Sequence, residues 1–444
     1  MDQLLTLILI GILFLALIAQ AFYFRRQLRR LAQATRQAQK TSKKQARKTQ
    51  RREQQQTKAL HLLLETIVDS IRKRRGGFLS CTTPDRIGHL ASEPDCWLKE
   101  RILSGEEDGF YGLIESPETA VNPHLLTYWE PFFDLVIPRS VWGKLLRAFP
   151  SLEPLLEERF DYAFGIDETA TLYDIYTRWG DREPLLELRE EDQGFLENIL
   201  DGWGLKRGEW FVCLHNRESG YSPSDDQLND YRNAPIESFI PAIKYITSQG
   251  GWVIRMGDSS MTPLPEMDRV VDYALSDSKS DRLDVALCAS ARFFLGSSSG
   301  LFNVSAIFGV PVASVNLTPF STFQFTPRDL GIPKLCYSRS EQRLLTFPEI
   351  VDPSSSLANF RNGEQYEEVG VDPQSNSPEE IVEVTREILE QVSGKVTYTA
   401  EDEELQQAFR DLFRPGHYGY GSSARTGREF LRRHKDLLFP DKAN

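Results

Sequence analysis

From residue 4 to residue 24 the chain is apolar apart from Thr6 and Gln20, and it carries no charge there. Wound as a helix at about 1.5 Å per residue, such a run is long enough to cross a hydrocarbon core of about 30 Å. A cleaved signal peptide is the competing reading, since Ala19, Gln20 and Ala21 make a small-residue cleavage site. No Lys or Arg precedes the run, and it continues through Phe22, Tyr23 and Phe24, which favours an anchor over residues 1–24. Only Asp2 lies ahead of the span, whereas Arg25, Arg26, Arg29 and Arg30 come after it. Cations stay on the cytoplasmic side, so a single-pass topology with the remaining chain in the cytoplasm is expected.

Periodicity then changes. Residues 25–75 are rich in Gln, Arg, Lys and Ala, without Pro or Gly, and predict a helix. Apolar positions are sparse until Leu60, Leu62, Leu63, Leu64, Ile67, Val68 and Ile71, which gives no sustained heptad. A solvated helical stalk over 25–77 is expected, ending at Gly76 and Gly77. Its cations also suit anionic lipid headgroups. Nucleic acid is a poorer partner, because no aromatic residue is interleaved with them.

Residues 78–204 read as a first α/β domain. A strand is expected at 78–81, a helix entered through 86–90, a second extended region over 128–138, and an acidic helix at 183–200. The pattern from 208 to 320 is sharper. Strands are expected at 210–214, 252–256, 292–295 and 310–315, apolar on both faces as a parallel sheet requires. Helices are expected at 238–249, 281–290 and 301–308. Strand and helix alternate at short spacing, which predicts a doubly wound parallel sheet. In such sheets ligands bind beyond the carboxyl ends of the strands.

Composition adds a charge split. The chain has 444 residues and a formal net charge of −12. Residues 25–75 hold 17 Lys and Arg against three acids, a balance of +14, and residues 76–444 carry −25. The molecule is therefore an acidic body with a basic arm. Hydrophobic content of 40% with 26% charged residues excludes disorder over most of the length. Five scattered cysteines without a C-x-x-C favour a reducing compartment over a disulfide framework or zinc site.

Candidate chemistry falls at the strand ends. His215, Arg217, Glu218 and Tyr221 leave the first strand of the second domain, and Arg217 suits bidentate contact with a phosphate. A loop salt bridge between Arg217 and Glu218 is the plainer alternative. Arg255, Gly257 and Asp258 leave the next strand. Gly257 would allow close backbone approach, and Asp258 could hold a ribose hydroxyl or cap the next turn of chain. Gly296, Ser297, Ser298, Ser299 and Gly300 join a strand to a helix, where free N–H groups and the helix dipole favour an anion. There is no Walker P-loop and no G-x-G-x-x-G after a strand. No two aspartates lie two apart, so a divalent metal clamped on a diphosphate is not implied.

The segments CLHNRESGY, YRNAPIESFIPAIKYITSQGGWVIRMGD, DYALSDSKSDRLDVALCASARFFLGSSSGL and IFGVPVASVN resemble a family of bacterial glycosyltransferases of the GT-B type. RIGHLA at 86–91 and FLRRHKDLL at 430–438 are similar to the same family, and the H-x-R of His215 and Arg217 is similar to the donor site of GDP-fucose-using transferases. The resemblance implies two Rossmann-like domains facing a cleft, the second over 205–400 holding a nucleotide sugar, and a helical tail over 401–444 crossing back to the first. It implies no metal and no cofactor beyond the donor. Arg217 would take the diphosphate, with the Ser297–Gly300 loop, Lys279 and Asp281 in support. Arg232 and Asn233 would close the site or cap the following helix. His215, Glu218 and His89 are candidates for the general base. A glycan or lipid-linked acceptor is expected, with hexosyl or fucosyl transfer. A non-catalytic membrane-anchored scaffold with a degenerate transferase fold is the alternative, motivated by the long stalk.

Overall fold

Short runs of Val, Ile, Leu and Phe bounded by Gly and Pro form strands buried on both faces, and here they build two parallel sheets. The computed structural model describes residues 2–21, 46–73, 76–81, 83, 85–106, 109–157, 166–220 and 229–440. The chain divides into one unit of Met1–Asp85 with Trp97–Phe160 and a second of Arg86–Cys96 with Asp161–Asn444. The Ile87–Leu103 helix thus supplies its first turns to the second unit and its remainder to the first.

In the first unit β1 (Gly77–Leu79), β2 (Tyr111–Ile114), β3 (Leu135–Ile137) and β4 (Leu156–Glu157) pair in the order β3-β2-β1-β4, all parallel. Phe78 stands opposite Gly112, and a Cβ on Gly112 would overlap the Phe78 ring. That ring packs on Phe110 at 5.9 Å and Trp142 at 4.7 Å between centroids. Residues 128–132, expected as extended, are instead helical. Asn122 accepts from the Leu125 N–H at 2.8 Å, and Pro123 starts the Pro123–Trp129 helix at the position where its missing N–H costs nothing.

The stalk expectation is corrected in its second half. The Ala46–Lys73 helix brings Leu64, Val68 and Ile71 into the core of the first unit, with Leu60, Leu63 and Ile67 packed beside them. The spacing of four and three residues puts them on one stripe, and the Gly76 N–H closes the end by donating to the Ile71 carbonyl at 2.9 Å. The Asp2–Ala21 helix lies on the same core. Its Phe14 is buried, 6.0 Å from Phe78 and 6.4 Å from Trp142 between ring centroids. Among the described residues no helix is long and apolar enough to cross a membrane. The apolar run continues through 22–24, and residues 22–45 lie outside the described residues.

The second unit holds β5 (Phe211–His215), β6 (Trp252–Arg255), β7 (Val270–Val271), β8 (Phe294–Gly296), β9 (Val312–Leu317) and β10 (Leu330–Pro333). A small antiparallel sheet of β11 (Leu335–Ser338), β12 (Arg343–Leu344) and β13 (Val371–Gln374) comes next, and β14 (Arg425–Thr426) returns to the main sheet. The main sheet is parallel throughout, in the order β14-β10-β9-β8-β5-β6-β7. Two runs leave β5 in opposite directions, so strand order reverses between β5 and β8. That is the topological switch point of a doubly wound sheet.

The acidic helix expected at 183–200 is found as Glu190–Gly202 in this second unit, together with a helix over Ile166–Trp179. Ile166–Trp179 sends the Tyr173 hydroxyl to the Phe323 carbonyl at 2.7 Å and stacks Tyr176 on Phe325 at 5.1 Å. Glu190–Gly202 receives Arg282 on Asp192 at 2.6 Å. The tail is assigned to this unit as well. In the Arg428–Arg433 helix, Arg432 clasps Asp402 at 2.7 and 2.8 Å and Phe430 stacks on Phe347.

Candidate functional site

The carboxyl ends of β5 and β8 are locked together by sequence-local features. A Cβ on Gly296 would overlap the His215 carbonyl, so only glycine lets the two strand ends approach this closely. The Ser297 N–H donates to that carbonyl at 3.0 Å, and the Ser297 hydroxyl accepts from the Arg217 N–H at 2.6 Å. Arg232 crosses from the 229–235 loop and donates to the carbonyl and hydroxyl of Ser298 at 3.0 and 3.2 Å. Asn233 reaches Ser219 at 2.9 Å. Lys334, buried just beyond β10, donates to the carbonyls of Tyr231 and Asn233 at 2.9 and 2.7 Å, which fixes the loop on either side of Arg232. Burial pulls its pKa down to about 8.

Ser299 stands at the N-cap of the Gly300–Ile307 helix. A Cβ on Gly300 would come within 2.8 Å of the Gly88 nitrogen, so the RIGHLA segment crosses the head of this helix backbone to backbone. His89 is buried there and bonded through Nδ1 to Glu93 at 2.6 Å.

Four buried polar atoms on residues at or just beyond the ends of β5, β8 and β9 have no hydrogen-bond partner among the described residues. They are His215 Nδ1, Asn216 Oδ1, Ser299 Oγ and Asn316 Nδ2. All four residues are at least nine-tenths buried. Asn316 has a positive φ of 55° and is braced by Asn376, whose N–H donates to its Oδ1 at 2.7 Å. A buried polar atom left unpaired costs about 1–3 kcal/mol, so each of these calls for a polar partner.

Burial, and behind it Arg255 and Arg217, drives the pKa of His215 down to about 4. The imidazole is therefore neutral at pH 7. The unfolded ring titrates near 6.5, so between pH 6.5 and 4 the unfolded chain binds the extra proton. Stability is full above that window and should fall through it by about 3 kcal/mol. Thermal midpoints of the full chain at pH 7 and pH 4.5 check this. The drop should be smaller in His215→Gln.

Other sequence candidates are engaged differently. Glu218 accepts from Asn216 at 2.6 Å and from the Thr262 N–H at 2.8 Å, so both its oxygens brace the loop. Arg255 is fully buried and bonded to Asp272 at 3.0 Å. Gly257 has φ of 141°, and a Cβ there would overlap Met261. Asp258 accepts from the Ser260 N–H at 2.8 Å, a local turn. Lys279 is clasped by both oxygens of Asp284, at 2.9 and 3.0 Å. Asp281 sits in the first turn of the Asp281–Ser290 helix, which Ser280 caps. Tyr221 lies outside the described residues. Asn216, Asn316 and Lys334 were not singled out from the sequence. The signal for Lys334 was a lone cation inside the apolar run 330–337. Among the described residues no group of three or more His, Cys, Asp or Glu side chains is placed to hold a metal ion.

No family model matches the chain, and no curated protein matches it. Among solved structures it is similar to a glycosyl transferase family 9 protein from Veillonella parvula DSM 2008, at 12% identity over 58% of this chain and 85% of that one, with a TM-score of 0.38. It is also similar to the ADP-heptose LPS heptosyltransferase II of E. coli, at 13% identity over 58% and 90%, with a TM-score of 0.38. A UDP-N-acetylglucosamine 2-epimerase is similar at 12% identity over 73% and 97%, with a TM-score of 0.29. These likenesses decide neither the site nor the reaction.

Proposed function

We propose that the chain is a glycosyltransferase of the GT-B type that takes its sugar from a nucleotide-sugar donor. One observation carries this reading. At the switch point, the His215–Arg217 loop and the Ser297–Gly300 loop are bonded to each other, and His215, Asn216 and Ser299 on them carry buried polar atoms without a partner among the described residues. A departing nucleoside diphosphate carries away negative charge, and donors fixed in advance where that charge develops lower the barrier. Arg217, Arg232 and the N–H groups at the head of the Gly300–Ile307 helix are such donors, and they are the groups assigned here to neutralise the diphosphate. His215 is assigned to the acceptor hydroxyl. A diphosphate bound beside it would offset the arginines that depress its pKa and so make it a better base.

Hexosyl or fucosyl transfer to a glycan or lipid-linked acceptor is the finer proposal. The cations of 25–75 support a location at the anionic cytoplasmic face of a membrane. The scaffold alternative loses its motive, because the second half of the stalk helix is core. The test incubates the full chain with ADP-, GDP- and UDP-sugars and measures released nucleoside diphosphate. Turnover of at least one donor is expected, and release of none from the whole panel would overturn the reading.

A further inference from the structure

One buried cation takes no part in the donor chemistry described above. Lys334 directly follows β10 and is 4% exposed, yet among the described residues its ammonium is bonded to no carboxylate. Both of its partners are backbone carbonyls, those of Tyr231 and Asn233. Burying a charge without a counter-ion is costly, and a neutral side chain would pack there without that cost. What the ammonium adds is a grip on two carbonyls that flank Arg232. Its own backbone is fixed, since the Lys334 N–H donates to the Leu317 carbonyl at 2.9 Å and Asn376 donates to the Pro333 carbonyl at 2.9 Å.

The gripped turn is where the two strand-end loops meet. Arg232 bonds Ser298 beyond β8, and Asn233 bonds Ser219 beyond β5. The next residue, Ala234, exchanges two bonds with the loop after β5. Its N–H donates to the Arg217 carbonyl at 3.0 Å, and its carbonyl accepts from Asn216 Nδ2 at 3.3 Å. The turn from Asp230 to Ala234 thus ties one loop to the other.

We infer that Lys334 is a positioning residue: its ammonium sets the Asp230–Ala234 turn where Arg232 and Ala234 bond the two loops, and so keeps the donor site assembled. This deepens the donor-site reading and rests on it. Lys334 acts through the turn and not on the donor.

The grip depends on a proton. Charge-assisted hydrogen bonds are about twice as strong as neutral ones, and burial brings the pKa of Lys334 down to about 8. Asp230 of the turn is the charge that acts on it, and it favours the ammonium. The turn also presents Tyr231, whose phenol burial pushes up, and Arg232, which is directed to Ser298. Asn316 and Leu317 of β9, and Asn376 ahead of the Pro378–Val392 helix, add no charge. The turn should therefore loosen as pH rises through about 8. Global unfolding does not imitate this. An unfolded lysine titrates at about 10.4, so between the two values the unfolded chain binds the extra proton, and this group makes the folded chain more stable as pH rises.

Hydrogen exchange of the full chain, read on residues 229–235, tests the grip without needing turnover. At pH 7 Lys334→Met should exchange there about 10- to 100-fold faster than wild type, the range for bonds to a charged group. The Ile240–Ser248 helix is the reference and should not change. At pH 9 roughly nine in ten wild-type lysines have lost the proton, so that ratio should shrink by about fivefold or more. Lys334→Arg keeps its proton throughout and should show no loosening between pH 7 and 9. If neither variant folds, the wild type alone decides, since exchange at 229–235 relative to 240–248 should rise by about fivefold or more over the same range. In transfer assays the same proton should appear as a fall in kcat/KM above about pH 8 that Lys334→Arg lacks.

Equal exchange at 229–235 in wild type and Lys334→Met would overturn the inference. So would equal acceleration at 229–235 and 240–248, which means a general loss of stability. A turn that follows the Lys334 proton, in a chain that turns over no nucleotide sugar, would leave the grip standing and remove the transferase reading. Sugar transfer that is indifferent to Lys334→Met would do the reverse.

Discussion

Arg217→Ala should lower kcat/KM for sugar transfer by about 100- to 1,000-fold, the effect of removing one fixed donor from developing negative charge. The loop around Arg217 is held by its own backbone, whose N–H donates to Ser297 at 2.6 Å, so truncating the side chain leaves that bond in place. The melting temperature should therefore change little while turnover collapses. The split between KM and kcat is informative. An interaction made only as the diphosphate departs lowers kcat with KM unchanged. One made equally to the resting donor raises KM instead. Arg217→Lys should recover part of the rate, since it restores a charge but not the bidentate fork. Equal kcat/KM in wild type and Arg217→Ala would remove Arg217 from the site.

Leu64→Ala should destabilise the first unit by about 2–5 kcal/mol, the range for a buried leucine cut to alanine. Leu64 is fully buried among Phe78, Ile114 and Leu152 of the same core cluster. The measurement is denaturant unfolding of the full chain, with Leu62→Ala as the internal control. Leu62 is two residues away on the same helix and 66% exposed, so its truncation should cost little. Equal effects of the two substitutions would return the helix to the role of a solvated stalk. The same burial says that a chain beginning at residue 76 would lack part of its own core. Enzymatic assays belong on the full protein for that reason.

These two results bear on how much could be seen in the sequence. Strands β5, β6, β8 and β9 were legible because each is apolar on both faces and bounded by Gly, Pro or polar residues. Strands β7 and β14 are two residues long, and no periodicity fits in two residues. The 46–73 helix escaped because a search for heptads passes over a single stripe of Leu60, Leu64, Val68 and Ile71 confined to its last turns. Residues 128–132 looked extended because aromatic runs favour strands, but the local cap at Asn122 and Pro123 decided for helix.

At the site, Arg217 and the serines were visible because they sit one to three residues beyond a strand end. Arg255 is the last residue of β6, and its guanidinium is committed to Asp272, a partner reached only once β6 and β7 pair. Asn316 and Lys334 are placed through contacts between residues far apart in the chain, which no local pattern encodes. Lys334 meets its carbonyl partners across about a hundred residues.

The crossing of Gly88 over Gly300 carries a consequence for how the protein is made. Translation runs at about 5–20 residues per second, so residue 300 trails residue 88 by roughly 10–40 s. During that interval the first turns of the Ile87–Leu103 helix have left the ribosome while their partner does not yet exist. The backbone around Gly88, packed on Gly300 in the finished protein, spends the wait uncovered. The nascent chain should therefore hold a chaperone-accessible segment around residue 90 until the Gly300–Ile307 helix emerges to cover it.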